Sequence, residues 1–212
     1  MEIISTNIGR VRLINWRGEK VKTGIYKYPV EKPLILTKEG VKGDHVADLR
    51  HHGGIDKACY LFSADHYPYW KALYNGPEWR WGMFGENLTI VGLDEKQIYI
   101  GDILKIGEAV VQVSQPRQPC FKLAVIFNSQ SMVRQFIDYG HPGVYVRVLE
   151  EGPVKKGDRI DRVAQGPGGF SIFEIFRIIY AKEMEPEVVH KAIADINLAE
   201  SCRRELKKIW EL

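Results

Sequence analysis

The strongest constraint on this chain is a change of hydrophobic period part-way along it. Up to about residue 164, apolar and polar side chains alternate in short runs: Ile3 and Ile4; Val11, Leu13 and Ile14; Val21 to Tyr26; Leu34 to Leu36; Ala58 to Phe62. That is the period-two signature of half-buried strands. Beyond Gln165, Gly166, Pro167, Gly168 and Gly169 the apolar residues recur at helical spacing instead: Ile172, Phe176 and Ile179; Val189, Ala192, Ile193 and Ile196; Leu198, Cys202 and Ile209. One architecture cannot serve both periods, so the chain divides into a mainly β unit, residues 1–164, and a small three-helix unit, residues 170–212.

The β unit carries a second strand-rich block from Leu88 to Val113, and a further strand from Val144 to Leu149. Helices are expected at 64–74, 121–127 and 131–139. Gly-Asp pairs at 43–44, 101–102 and 157–158 flank strand-like runs and read as turns. Many short strands with Gly-marked turns and few helices imply an α+β fold built on a barrel or strongly bent sheet. In the helical unit, Ser171 with Glu174 and Asn197 with Glu200 form capping-box patterns, and Pro186 suits a first helical position.

Composition excludes more than it selects. The 212 residues carry a formal net charge of +3, too little to argue for nucleic acid or an anionic membrane. The aromatics Tyr67, Tyr69, Trp70 and Trp79 have no interleaved basic run and read as core. Three cysteines, Cys59, Cys120 and Cys202, are odd in number and form no C-x-x-C pair, which argues against a disulfide framework, a zinc knuckle or a four-cysteine cluster. The start M-E-I-I-S-T-N-I-G-R has no signal-peptide pattern and no run approaches a membrane span, so the cytoplasm is the expected location.

Three stretches carry candidate chemistry. In S-Q-P-R-Q-P-C-F-K-L, prolines stiffen the backbone around Cys120, and neighbouring Arg117 and Lys122 favour its thiolate, a nucleophile or soft metal ligand. The alternative is a cysteine that fills a strand-to-helix turn. Cys202, on an apolar stripe, reads as core. In G-D-H-V-A-D-L-R-H-H-G-G-I-D-K-A, residues Arg50, His51, His52 and Lys57 surround a Gly-Gly pair, which suits a phosphate-like anion or a plain polar turn. In F-G-E-N-L, Glu86 and Asn87 can hydrogen-bond the edge of a heterocycle or close a generic turn.

In this order and spacing the three stretches resemble the MOSC domain family, and most closely its YiiM-like bacterial branch, which also bears a short helical C-terminal unit. The resemblance covers most of the chain. It implies a β-barrel that binds the molybdopterin form of the molybdenum cofactor, with Cys120 as the thiolate ligand to molybdenum and the catalytic position. It further implies Arg50, His51, His52, Lys57 and Arg117 around the cofactor's phosphate, and Asn87 near the pterin. The implied activity is reduction of small N-hydroxylated substrates such as hydroxylaminopurines and amidoximes; Tyr60, Phe84 and Trp81 are candidates to stack on a flat base. With no cysteine cluster or nucleotide fingerprint, electrons must come from an external donor protein. The chain also lacks the pyridoxal-phosphate domain of the family's sulfurases. Alternatives left open are a non-enzymatic cofactor carrier or sulfur-transfer protein, and a cysteine-dependent transferase or hydrolase using His51 or His52 as base. A homodimer is also left open.

Overall fold

The computed structural model describes residues 1–45, 53–75, 78–167 and 169–212, an α+β fold. In chain order the elements are β1 (Glu2–Gly9), β2 (Arg12–Trp16), β3 (Glu19–Thr23), β4 (Lys27–Pro29), β5 (Leu34–Thr37), β6 (Gly40–Val41), β7 (Cys59–Ser63), α1 (Tyr67–Leu73), β8 (Leu88–Val91), β9 (Ile103–Ile106), β10 (Ala109–Pro116), α2 (Phe121–Ile126), α3 (Met132–Tyr139), β11 (Val144–Glu150), β12 (Gly152–Val154) and β13 (Ile160–Ala164). Then come α4 (Ile172–Tyr180), α5 (Pro186–Ala194) and α6 (Glu200–Ile209).

Eight strands form one sheet in the order β13-β9-β10-β11-β7-β8-β1-β4. Every neighbouring pair is antiparallel except β7 and β8, which are parallel. A parallel pair cannot be joined by a hairpin. The crossover between them, residues 64–87, carries α1 and much of a separate aromatic cluster containing Tyr67, Trp70 and Phe84. The first strand also meets the chain's later part: Ile3 N–H donates to Asp158 O, Gly157 N–H to Ile3 O and Ile160 N–H to Met1 O. Smaller sheets hold β12-β5-β6 and the hairpin β2-β3. Among the described residues no helix is long and apolar enough to cross a membrane.

All three Gly-Asp turns form, with Gly43, Gly101 and Gly157 at positive φ, where a side chain would strain the backbone. The Ser171–Glu174 capping box is present and Pro186 opens α5. The second capping box is not. The N-cap of α6 is Ala199, and Asn197 turns instead to Asp195 Oδ1, receiving Gln112 Nε2 on its own Oδ1. Ile196, expected on an apolar stripe, is 79% exposed because the chain bends into the turn between α5 and α6.

The change of period at residues 165–169 marks a change of element, yet the core runs across it. Ile172, Ile175, Ile178, Val189, Leu198 and Leu206 pack in the same buried cluster as Leu104, Val111 and Val146 of the sheet. Gly166 is pressed onto the 100–102 turn so closely that a Cβ would lie 2.1 Å from Ile100 O. Ile100 N–H donates to Phe170 O and Ile172 N–H to Ile98 O, so the start of α4 is tied to the sheet.

Candidate functional site

A cleft of about 380 Å³ opens beside the end of β10, in the size range of small-molecule pockets. It gathers Lys57, Asn87, Arg117 and Cys120, four of the seven residues expected there. Arg50, His51 and His52 lie outside the described residues.

Strand β10 delivers two of these groups. Pro116 pairs with Val144 at the strand's end, and Arg117 N–H reaches Gly143 O, which fixes the departure of the chain. Cys120 then sits in extended conformation at the N-cap of α2, half-buried, with its carbonyl accepting from Leu123 N–H. Gln118 Nε2 donates to Glu205 Oε2 of α6 at 2.7 Å, so the C-terminal helices brace the cysteine loop directly. Lys57 ends a short 3-10 turn, Ile55–Lys57, that leads into β7.

Arg117 is the electrostatic centre of the cleft. It is only 5% exposed, its guanidinium lies over the rings of Tyr60 and Phe136, and its Nη1 has no hydrogen-bond partner among the described residues. A buried, unsatisfied cationic nitrogen is costly, and an anionic ligand is what would offset the cost. Burial pushes the Tyr145 phenol up to about 12, although Arg117 beside it pulls the other way. Burial likewise holds the Tyr60 phenol well above its ordinary value. Both phenols therefore remain protonated through the neutral range; Tyr60 spends its proton on Pro142 O.

Asp44 and Lys27 also line the cleft, although neither was among the expected site residues. Asp44 accepts from Gly9 N–H and Asn87 Nδ2 and pairs with Lys27, all within or beside the cleft. Asn87 also gives Nδ2 to Asn7 O and takes Tyr60 N–H on Oδ1, so its amide positions Asp44 and strand β7. Glu86 is no ligand for a heterocycle. It is fully buried, with Oε1 accepting from Tyr67 Oη, Gly82 N–H and Thr89 Oγ1, and Oε2 from Phe84 N–H. Burial raises its pKa, and these hydrogen bonds oppose the rise. Glu86→Gln should therefore cost about 1–3 kcal/mol, because an amide nitrogen would face one of these donors. Chemical denaturation would check this.

Lys122, noted only as a neighbour of Cys120, and Lys27 both line the cleft and are largely buried. The only sequence signal for Lys122 was its place two residues after the cysteine; Lys27 had none. Cys59 and Cys202 are buried, and burial pushes both thiols up to about 12, which leaves them inert core residues. Of the aromatics, Tyr60 and Phe84 line the cleft and Trp81 does not, packing edge-on against Tyr67.

Residues 48–161 match the family model described as MOSC domain. An uncharacterized protein YflK of Bacillus subtilis is 40% identical over 97% of this chain and 93% of its own length. The crystal structure of YiiM from Geobacillus stearothermophilus superposes with a TM-score of 0.82 at 33% identity, covering 98% of this chain and 97% of that one. A protein named reductase from Gibberella moniliformis is 34% identical over 86% of this chain, which matches only 33% of the fungal protein's length. With fold, cleft and sequence in agreement across its length, the chain belongs to the MOSC domain family, alongside the YiiM proteins.

Proposed function

We propose that the cleft binds the molybdenum cofactor and that the protein reduces small N-hydroxylated compounds with electrons from a separate donor. The observation that carries this reading is the buried Nη1 of Arg117, which has no hydrogen-bond partner among the described residues, in the same cleft as the Cys120 thiol. A soft sulfur donor and an unsatisfied cation suit a group that has both a soft metal and a phosphate. Cys120 Sγ would be the metal ligand; Arg117 and Lys57 would hold the phosphate, with Arg50, His51 and His52 proposed for the same role. Asn87 would act through Asp44, which it orients.

When bound, the group supplies two-electron oxygen-atom chemistry. The chain's own residues bind, orient and exclude water. Tyr145 Oη, protonated at neutral pH, offers a hydrogen-bond donor toward an N–OH oxygen. Tyr60 and Phe84 back the cleft from the core rather than offering it an open ring face. The same reading takes the large sheet as a barrel, supported by the backbone bonds joining residues 1–3 to 157–160.

Protein isolated from cofactor-competent cells should contain molybdenum and release a fluorescent oxidised pterin. With a chemical reductant it should convert an N-hydroxylated purine or amidoxime to the amine. Metal-replete protein that yields no product above a metal-free control would leave a cofactor carrier in place of the reductase. Arg117→Met should retain little cofactor after gel filtration, and Lys57→Gln should flatten the decline of retention with rising salt. Wild-type retention in the double variant would move the phosphate elsewhere.

A further inference from the structure

Away from the cleft, a second cluster of ligating groups has no role in the chemistry above. Glu95, in the loop between β8 and β9, has a fully buried side chain. Its Oε2 lies 3.0 Å from Nδ1 of His141 and 3.3 Å from Nε2 of His66, while Oε1 accepts Gly143 N–H at 3.0 Å. His66 closes the 3-10 turn after β7, and His141 follows α3, so three distant segments deliver one donor each. The three donor atoms lie within 4.8 Å of one another.

We propose that His66, Glu95 and His141 bind one divalent transition-metal ion, with zinc as the expected occupant. Two imidazoles and one carboxylate form a donor set suited to zinc, and two atoms each about 2.1 Å from such an ion are roughly 3.0–3.4 Å apart at its usual angles. The two separations to Glu95 Oε2 fall in that range already, so only the two imidazoles need to draw together. The same separations serve hydrogen bonds, and charge is what favours the ion. Among the described residues the ion-pair partners of Glu95 are these two imidazoles, with no Lys or Arg within ion-pair distance and the neighbouring Lys96 turned to the Phe173 ring. Neutral imidazoles would leave a buried carboxylate without a counter-charge, which a divalent ion supplies.

Two further features suit a metal. The other nitrogen of His66, Nδ1, is 3.1 Å from Tyr139 Oη, the outer partner that orients a ligating imidazole. Glu95 is sealed, but the imidazole side chains are 12% and 24% exposed, which provides an entry path and an open coordination position. The ion would also secure the cleft from behind. Pro142 O receives the Tyr60 hydroxyl, and Gly143 bonds Glu95 through its N–H and Arg117 through its carbonyl. Gly143 has φ 72, and a Cβ there would lie 2.5 Å from Leu61 O, so this strap is held tightly.

The test is a titration of untagged, chelator-treated full-length protein with cobalt(II), read by its visible absorption, and with zinc, read by calorimetry and thermal unfolding. The expected result is one equivalent bound by wild type and by Cys120→Ser alike, with a raised unfolding midpoint. Binding should be weakened at least about tenfold in His141→Ala and in Glu95→Gln, a loss of roughly 1.4 kcal/mol or more. Absence of stoichiometric binding by the wild-type protein would overturn the proposal and leave the triad a hydrogen-bonded brace. Binding that Cys120→Ser abolishes, or that His141→Ala leaves intact, would place the ion elsewhere and overturn it equally.

Discussion

Cys120→Ser is expected to strip the protein of molybdenum while leaving its fold intact. The thiol is half-buried at the N-cap of α2, in extended backbone, where no side-chain cap bond is made. Serine is among the best N-cap residues and is smaller by only one atom's radius, so the unfolding midpoint should hold or rise slightly. A hydroxyl is nevertheless a poor ligand for a soft metal, and metal content should fall to background. Elemental analysis beside a thermal melt separates the two effects. Full molybdenum content in the serine variant would remove Cys120 from the metal and with it the chemical basis of the reductase.

A chain truncated after Val163 is expected to be insoluble or to unfold without cooperativity. Removing α4 to α6 strips Ile172, Ile175, Ile178, Ile179, Val189, Leu198 and Leu206 from the core they share with the sheet. At about 1.5–3 kcal/mol for each buried side chain, the loss rivals or exceeds a domain's whole stability of about 5–15 kcal/mol. It also removes Glu205 from Gln118 and so loosens the cysteine loop. Expression followed by denaturant titration would decide. A soluble 1–163 fragment with a sharp transition and bound molybdenum would make the helices a dispensable appendage.

Much of this was legible because local rules and tertiary packing agree. Most strand runs, the three Gly-Asp turns and the Ser171 cap form where local chemistry predicts, although residues 24–26 and most of 92–102 lie outside any strand. Disagreement arises where tertiary partners compete. Asn197 satisfies Asp195 and Gln112 rather than a helix end, and Glu86 meets four buried donors rather than a ligand. At the cleft, the cysteine loop announced itself through its prolines and charges, whereas Lys27 carries no motif, Asp44 read only as part of a turn, and the two meet beside Asn87 only through the fold. The triad of His66, Glu95 and His141 spans 76 residues without a spacing rule, and folding alone assembles it.

The bonds between residues 1–3 and 157–160 also bear on how this protein is made. The first strand emerges from the ribosome about 150 residues before its last partner, and contacts so distant in sequence are slow to close. Until then Ile3, buried in the finished core, has no cover on that side. Nascent chains halted before residue 157 should therefore be protease-sensitive at their amino terminus, and completed chains resistant, as pulse proteolysis of stalled ribosomes would reveal.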